Sequence, residues 1–585
     1  MRNTNYIIFL LIAIVYALAL PISAMDIDAS QYASIAKEML QSGNFLQIWD
    51  RGVPYLDKPP LLFWLTATSY KLFSVCPLAA KLPALVGWCV GVWATFRFAQ
   101  LYYDTATARL AALILATTQA AFLMTNDVRT DTLLTATVAC AIYFLAAATH
   151  ENAIKKQQIW HYFFGFSAVA CAMLAKGPIG ALVPAMAFGG HWLLQKQWHS
   201  IFKWQWIVGV FVILLWLAPM TYGLYTQYDL HPAQIVNGKT GVSGVRFFYW
   251  TQSFGRITGE SVWKNDTDAL FLVHSSLWAF LPWAFVMFWA FGERCVALFF
   301  VLKSYFIIKT EKTQTEKSPT EKPNEWISFF GFLLPLIALS LSQYKLPHYI
   351  FVTYPMAAVF TAVYIQDILE NSKAEKTWRI IQYVLCCLLA SGASLISFYV
   401  FYNIYFILFS IFILLIVNIL YYNKNVIHLI KTKLHLPYSD FVTISVFTIL
   451  CINVVLSAHF YPNLLRYQSG TEAGKFATAR NLAPLYDATE TGCAALYVAA
   501  PKVENPLALG ELSAFIQAQR AKSVRKIYIF GYDALLEKLK NEPNTTVAIL
   551  QKYDDFAVTH LSLPFLNAAT RETVLGKAYL VEVRI

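Results

Sequence analysis

Long apolar runs separated by short polar loops fill this chain up to about residue 459. Runs near the ~20 residues that cross a bilayer occur at 5–24, 78–98, 108–125, 132–148, 159–175, 178–194, 205–225, 272–300, 326–342, 346–366, 379–400, 404–421 and 441–459. We therefore predict an α-helical polytopic membrane protein with about 13 transmembrane helices. The first run ends in small residues, as signal peptides do, but its length and the many later runs predict a retained helix.

Composition supports the membrane assignment. Of the 585 residues, 58% are hydrophobic and 14% are charged, and the mean hydropathy is +0.50. Soluble domains carry about 25% charged residues. The formal net charge of +11 comes from short loops between apolar runs, so it does not indicate nucleic-acid binding. The nine cysteines form no CxxC pair and predict neither a disulfide framework nor a zinc site.

The loop lysines predict the orientation of the chain. With the N-terminus inside, "HENAIKKQQIW", "QKQWHSIFK", "KTEKTQTEKSPTEKPNE" and "NKNVIHLIKTKLH" are cytoplasmic, as the positive-inside rule requires. The same alternation places these segments on the outer side: 25–60, 126–131, 176–178, 226–270, 343–345 and everything after about 460. Because these segments hold most of the unusual polar residues, we expect the chemistry on the outer face.

The last part of the chain changes character. "AALYVAAP", "RKIYIFG", "TTVAILQ" and "KAYLVEVRI" predict short buried strands, and "GELSAFIQAQR" and "DALLEKLKNE" predict amphipathic helices. We therefore divide the chain into a transmembrane domain, 1–459, and a small periplasmic α/β domain, 460–585. The second domain shows no phosphate-binding glycine loop and no catalytic triad.

Five polar elements lie in the predicted outer segments. They are "MDIDASQYASIAKEM" with Asp28, "TNDVRTD" with Asp127, Arg129 and Asp131, "LAKGP" with Lys176, "SFGRITGE" with Arg256, and "QYKLPHYI" with Lys345 and His348. "SQYASIAKEM" has helical periodicity and is expected to lie along the membrane interface. Asp28 then precedes or begins that helix, so capping the helix and a functional role are equally compatible with its position.

The stretch "YLDKPPLLFW" places Asp57 and Lys58 directly before Pro59 and Pro60. A proline disfavours the helical conformation of the residue before it, so Lys58 is predicted to lie on a stiff, extended segment rather than on a mobile helix surface. The simpler interpretation is a lysine at a loop that extends its amine to the lipid headgroups. That interpretation explains the charge of Lys58 but not its rigid position.

These elements, in this order, resemble the GT-C glycosyltransferases that use polyprenyl-phosphate sugars. The similarity is greatest to bacterial aminoarabinose–lipid A transferases and to the dolichyl-phosphate-mannose–protein mannosyltransferase-like family. The matching motifs are "DASQYASIAKEM", "YLDKPP", "RTD", "AKG", "LPW" at 281–283 and "KLPHYI", over about residues 1–365. Ala29 and Gln31 stand where the lipid A enzymes have a glutamate and an arginine, so the acceptor is left open.

The resemblance implies roles for individual residues. It implies that Asp28 is the principal catalytic aspartate, that Asp131 is the second acidic position, and that Lys58 meets the phosphate of the lipid carrier. Arg256 and Lys345 are further candidates for the donor phosphate. Candidate substrate-binding residues are Tyr32, Tyr55, Asp57, Asp127, Arg129, Lys176, His348 and Tyr349. No cofactor is assigned, and a divalent cation is a candidate, with Asp28 and Asp131 as its candidate ligands.

The sequence therefore predicts an inverting glycosyltransferase of the bacterial inner membrane with a periplasmic active site. Its expected partners are a polyprenyl-phosphate sugar donor, membrane lipids and an envelope acceptor similar to lipid A, and no nucleic acid. A protein Ser/Thr acceptor is the alternative within the enzyme class. A non-enzymatic transporter of lipid-linked sugars is the other alternative, but transporters place ionisable groups near the bilayer midplane rather than in outer loops.

Overall fold

A computed structural model gives the fold of residues 6–151, 154–236, 238–258, 260, 265–307, 325–434, 436–489, 492–504 and 506–585. The elements up to residue 479 are α1 Tyr6–Leu18, α2 Asp28–Ser42, β1 Trp49–Asp50, β2 Val53–Pro54, α3 Leu61–Phe73, α4 Pro77–Tyr102, α5 Thr105–Ala116, α6 Gln119–Asn126, α7 Thr130–Thr149, α8 Lys155–Lys176, α9 Ile179–Leu194, α10 Trp198–Ile201, α11 Gln205–Leu224, α12 Gly244–Arg246, α13 Gly255–Thr258, α14 Phe271–Ala279, α15 Ala284–Ile307, α16 Ile327–Ser340, α17 Tyr354–Glu370, α18 Ser372–Leu395, α19 Ile404–Tyr422, α20 Lys424–Lys433, α21 Asp440–Val455, α22 Tyr461–Leu464 and α23 Ser469–Ala479. The later elements are β3 Leu485–Asp487, α24 Ala494–Ala499, α25 Leu512–Ala521, β4 Lys526–Tyr532, α26 Asp533–Lys540, β5 Thr546–Asp555, α27 Leu563–Leu566 and β6 Gly576–Arg584.

The helices confirm a polytopic membrane protein. Within the described ranges, nine helices are long and apolar enough to cross a membrane, or ten if the bent pair of α5 and α6 is one span. Three shorter apolar helices, Ile7–Leu18, Ile179–Leu194 and Ile327–Ser340, accompany them. The figure of about 13 crossings stays a prediction.

Two predicted spans are interrupted. The run at 272–300 forms two helices, α14 and α15, with Pro282 between them. Proline has no backbone N–H and clashes with the preceding helical turn, so a continuous helix cannot pass through this position without a kink. The run at 108–125 bends by 56° between α5 and α6.

Small residues let the central helices approach closely. Helix α7 is buried along most of its length and packs between α4 and α8. A Cβ atom on Gly91 of α4 would lie 2.8 Å from the Cα of Ala136 in α7, so only glycine fits at this contact. Close packing of this kind is a main source of helix association within a bilayer, where the hydrophobic effect between helices is weak.

A four-stranded sheet forms near the C-terminus, with the strand order β3-β4-β6-β5. Strand β3 is parallel to β4, and β6 pairs antiparallel with β4 and β5. The strands predicted in "RKIYIFG", "TTVAILQ" and "KAYLVEVRI" are confirmed, as are the helices predicted in "GELSAFIQAQR" and "DALLEKLKNE". The strand predicted in "AALYVAAP" is wrong, because this alanine-rich stretch forms α24.

Helix α2 does not have the single buried face expected of an interfacial helix. Residues around most of its circumference are buried, and its neighbours include α3 and α24. The amine of Lys37, a buried residue, donates to the carbonyl of Tyr497 at 2.6 Å and also to that of Ala500, at the C-terminal end of α24. A lysine amine is well suited to the unpaired carbonyls and negative pole of a helix C-terminus.

The hairpin of β1 and β2 adds a second contact between these parts of the chain. Glu38 of α2 accepts from the backbone N–H groups of Arg51 at 2.6 Å and of Gly52 at 3.0 Å. The guanidinium of Arg51 donates to the carbonyl of Gly492. Segments on both sides of the predicted boundary near residue 460 are therefore in direct contact, while the division into two domains stays a prediction.

Candidate active site

Asp28 is the first residue of α2, and its carboxylate does not cap that helix. The residue at the N-cap position is Ile27, and no side-chain cap hydrogen bond is present there. Oδ2 of Asp28 instead accepts from Nη1 of Arg129 at 2.7 Å. Within the described residues, Oδ1 of Asp28 has no hydrogen-bond partner, and the side chain is 38% exposed. The capping interpretation is therefore wrong, and one carboxylate oxygen is available to a ligand.

Arg129 organises the turn between α6 and α7. Its Nε donates to Asp127, while its Nη1 reaches Asp28, so one planar guanidinium connects two carboxylates. The Arg129 and Asp127 side chains are only 14% and 11% exposed. This arrangement fixes the orientation of Asp28 from a segment about one hundred residues further along the chain.

Asp131, Lys176 and His348 form a second, more buried group. The Lys176 amine at the end of α8 donates to Oδ1 of Asp131 in the first turn of α7. Nε2 of His348 lies 3.7 Å from Oδ2 of the same carboxylate. The Lys176 amine also lies 4.2 Å from the centre of the Tyr349 ring, within the range of a cation–π contact. Four of the predicted residues therefore meet here.

Lys58 lies in a bend just before α3, outside any helix, as the following Pro59 favours, but the segment is bent and not extended as predicted. Lys58 lines a cavity together with Lys176, Gln252 and Tyr349. The rest of this first cavity is mainly apolar, with Leu134, Ile179, Leu182, Met186, Leu339 and Val352 among its walls. The first cavity is thus an apolar chamber with two lysines.

Tyr32 and Tyr55 lie beside this cluster, packed edge-on against Phe63. Burial raises the pKa of Tyr32 well above its ordinary value, and the nearby Asp28 carboxylate raises it further. Burial likewise raises the pKa of Tyr55, with Tyr32 and Asp57 as the next causes. Both phenols therefore stay protonated and can act as neutral hydrogen-bond donors.

Of the two remaining candidates for the donor phosphate, only Lys345 has a described side chain. The Lys345 amine donates to the carbonyls of Ser340 at 3.3 Å and Ser342 at 2.9 Å, just beyond the end of α16, and Lys345 does not line the first cavity. The backbone of Arg256 lies in α13, but its side chain lies outside the described residues. Both assignments stay predictions.

A second cavity, of about 850 Å³, is lined by Lys81, Asn126, Asp127, Arg129 and His348. The Asp131 carboxylate contacts Lys176, which lines the first cavity, and lies 3.7 Å from His348, which lines the second. Most of the other walls of the second cavity are apolar and include residues of α22 and of the segment from Val558 to Leu561.

The carboxylates do not fit the predicted divalent cation. Asp28 and Asp131 each face a cationic side chain, Arg129 and Lys176 respectively. Among the residues that the structure describes, no three His, Cys, Asp or Glu side chains are placed to hold one metal ion. We therefore assign no chemical step to a metal.

Two residues of this region were missed in the sequence. Gln252 is buried, and its Nε2 donates to the carbonyl of Asp57, which braces the bend that carries Lys58. Nothing in the loop at 226–270 distinguishes this glutamine before folding. Lys81 could have been found, because it is a lysine inside a predicted apolar run at 78–98.

The fold has known relatives. ArnT from Cupriavidus metallidurans, solved bound to undecaprenyl phosphate, superposes with a TM-score of 0.70 at 15% identity, covering 99% of this chain and 98% of that one. The chain has the fold of ArnT. The predicted resemblance to GT-C glycosyltransferases is confirmed.

Sequence comparisons agree with the structural one. The model of the dolichyl-phosphate-mannose-protein mannosyltransferase family matches residues 57–222. An undecaprenyl phosphate-alpha-4-amino-4-deoxy-L-arabinose arabinosyl transferase of Shewanella sediminis is 24% identical over 278 residues, which is 46% of each chain. An uncharacterised protein of Aquifex aeolicus is 24% identical over 374 residues, 64% of this chain and 65% of that one. The matches thus span about half to two thirds of these relatives' length.

Proposed function

We propose that this protein is an inverting glycosyltransferase that moves a sugar from a polyprenyl-phosphate donor to an envelope glycolipid similar to lipid A. The single observation that carries this proposal is the pair of cavities that border the Asp131 carboxylate, one through Lys176 and the other through His348. One cavity is apolar with two lysines, and the other is wide and amphipathic. Two lipid substrates can therefore reach one charged cluster from two cavities. The resemblance to transferases that use undecaprenyl-phosphate sugars supports this assignment.

The first cavity suits the donor. The Lys58 amine can place a positive charge beside a phosphate, while the apolar walls accept the first part of a polyprenyl tail. Lys176, whose charge is paired with Asp131, can add N–H donors to the same cavity. Pro59, Pro60 and the Gln252 contact hold Lys58 in place. A charge fixed in advance at a water-poor site stabilises a developing anion more than a mobile one does.

The second cavity suits the acceptor.

In the reaction the acceptor oxygen attacks the anomeric carbon, the bond from that carbon to the phosphate oxygen breaks, and the polyprenyl phosphate leaves with the electron pair. If the acceptor is a hydroxyl, Oδ1 of Asp28 takes its proton, since Arg129 occupies only Oδ2. If the acceptor is a phosphate, no proton transfer to Asp28 is needed, and the aspartate orients the substrate.

The reaction takes place, in this proposal, on the periplasmic side of a bacterial inner membrane. The lysine-rich loops support this orientation through the positive-inside rule. A protein Ser/Thr acceptor is the second candidate, because the family model that matches residues 57–222 describes protein mannosyltransferases.

A deletion strain tests the function. Mass spectrometry of its envelope lipids should show one glycolipid lighter by a single sugar, restored by the wild-type chain and not by an Asp28→Asn chain. Loss of sugar from envelope proteins instead would identify the protein acceptor. An unchanged set of glycolipids and glycoproteins would contradict both forms of the proposal.

A further inference from the structure

Lys81 is a charged residue buried inside the membrane domain. It lies in the first turns of α4 and is only 2% exposed. Its amine donates to the carbonyl of Ala19 at 2.8 Å, and no carboxylate of the described residues lies within ion-pair distance of it. An ammonium has three N–H donors, so one carbonyl leaves most of its bonding capacity unused. A buried charge without a bonded counter-ion is costly and is retained where it has a function.

The position of Lys81 points to that function. It lines the second cavity together with Asn126, Asp127 and Arg129. Arg129 is already engaged by Asp127 and Asp28, so it has little positive charge to offer a ligand. Lys81 is then the cation of this cavity wall whose charge is not balanced by a bonded carboxylate among the described residues.

The shape of the second cavity indicates what kind of anion reaches Lys81. Besides these polar residues, the walls include Ile22, Phe460, Leu464, Val558 and Leu561. A small inorganic anion would gain nothing from such surfaces. A lipid with an anionic headgroup would satisfy both the lysine and the apolar walls.

We propose that Lys81 binds an anionic group, a phosphate or a carboxylate, on the headgroup of the acceptor lipid. This inference rests on the proposed function, because it takes the second cavity to be the acceptor cavity. Lys81 acts by holding the acceptor and does not touch the bond that breaks. The competing explanation is structural: the lysine only ties the end of α1 to α4 through the Ala19 carbonyl.

The first test is kinetic and uses Lys81→Met, Lys81→Arg and, as a matched control, Lys71→Met at the exposed end of α3. Initial rates are measured in mixed micelles. The concentration of envelope glycolipid is varied at saturating donor to give the acceptor KM, and the donor concentration is then varied at saturating glycolipid to give the donor KM. Lys81→Met should raise the acceptor KM by about tenfold or more, as expected for one charge-assisted contact. The donor KM should stay unchanged, Lys81→Arg should recover much of the acceptor binding, and Lys71→Met should behave as wild type.

Thermal unfolding distinguishes a Lys81 that binds the acceptor from a Lys81 that only ties α1 to α4. A methionine at position 81 removes a buried charge, so the unfolding midpoint should stay the same or rise. A lower midpoint, with donor and acceptor KM values changed together, would make Lys81 a structural tie and overturn the proposal. An unchanged acceptor KM would overturn it as well.

The second test is binding without turnover, by native mass spectrometry of the full chain mixed with envelope lipid extract. Wild type and Asp28→Asn should both retain an anionic glycolipid that Lys81→Met does not retain, and acceptor lipid stripped of its phosphate and carboxylate groups should not bind. Glycolipid retention that depends on Lys81 would support the anion site even if no sugar transfer is found. The proposal about Lys81 and the proposed transferase activity can therefore fail independently. Thermal stabilisation of the wild type by inorganic phosphate alone, without glycolipid retention, would contradict a lipid headgroup.

Discussion

Asp28 and Arg129 lie 101 positions apart in the chain, and Nη1 of Arg129 donates to Oδ2 of Asp28 at 2.7 Å. The same guanidinium holds Asp127 through Nε. Asp28 is therefore oriented by a rigid, two-sided partner, and its Oδ1 stays available on a side chain that is 38% exposed. A carboxylate fixed through one oxygen is suited to accept a proton or to orient a substrate with the other.

Asp28→Asn should fold and insert normally but lose transfer by at least about 100-fold, the usual contribution of a general base. Because the ion pair is partly exposed, the free energy of unfolding should change by no more than about 1 kcal/mol. Transfer is measured with purified protein and compared with Asp104→Asn, which alters the N-cap of α5. Asparagine caps as well as aspartate, so that control should keep full activity. Retained transfer in Asp28→Asn would move the base elsewhere.

Lys58→Met should abolish transfer, and Lys58→Arg should impair it by about tenfold or more, since the longer planar guanidinium does not reproduce a compact ammonium at a fixed distance. The loss should appear as a higher KM for the polyprenyl-phosphate donor with little change in the acceptor KM. Lys71→Met and Lys71→Arg, at the exposed end of α3, serve as controls. If Lys58→Arg uses donor at the wild-type rate, Lys58 is an anchor at the membrane interface.

Asp131→Asn should be strongly destabilising, because it removes the carboxylate charge from a contact with the Lys176 amine where the two side chains are 13% and 6% exposed. Loss of one partner from a buried ion pair costs about 3–5 kcal/mol. Thermal unfolding of the double variant Asp131→Asn with Lys176→Met should recover most of that loss, since neither charge remains. Equal destabilisation in the single and double variants would show that the pair does not act as a unit.

Asp26 should give part of the pH dependence of stability. It lies between α1 and α2, and burial raises the pKa of its carboxyl group from 3.8 to about 6, although a hydrogen bond from Ser30 opposes this. The folded state then binds the proton more tightly than the unfolded state. The stability from this group is fully present below about pH 4, falls as the pH rises towards about 6, and is level above that value.

Asp26→Asn removes this titration. The variant should be more stable than wild type above pH 6, by roughly 1–3 kcal/mol, and equal to it near pH 4. Thermal unfolding in detergent from pH 4 to pH 8 measures the difference. A constant difference between the two proteins across that range would contradict the assignment to Asp26.

The orientation can be tested with single cysteines. A cysteine at Asn544, which is exposed in the loop before β5, should react with an impermeant thiol reagent in intact cells. A cysteine at Lys156, in a predicted cytoplasmic loop, should react only after the cells are opened, as should one near Lys317, a position outside the described residues. Wild-type labelling gives the background of the native cysteines. The opposite pattern at either site would contradict an active site on the periplasmic face.

The sequence predicted which segments meet, and it did not predict which side chains pair. Motif order and the alternation of spans brought Asp28, Arg129, Asp131 and Lys176 to one region. Arg129 pairs with Asp28, and Lys176 pairs with Asp131. This choice of partners depends on how α2, α7 and α8 pack, which cannot be predicted from local sequence patterns. Caps were the wrong explanation for Asp28 because local rules consider only neighbours within one turn.

The misassigned elements have physical causes of the same kind. The stretch around Tyr497 has the apolar pattern of a buried strand and the alanine content of a helix, and its contact with Lys37 lies at the end of a helix. Gln252 gained its role only when the loop folded over the bend at Asp57.

The lysine that caps α24 also limits how this protein can be recombined. A chimaera that exchanges residues from 460 onward for those of a relative would put a foreign surface opposite Lys37 and Arg51. The graft would then have to offer carbonyls where those of Tyr497, Ala500 and Gly492 now stand. A successful exchange should therefore require that α2 and the β1–β2 hairpin are taken from the same relative as the C-terminal part. The two parts form one interface and have to be replaced together.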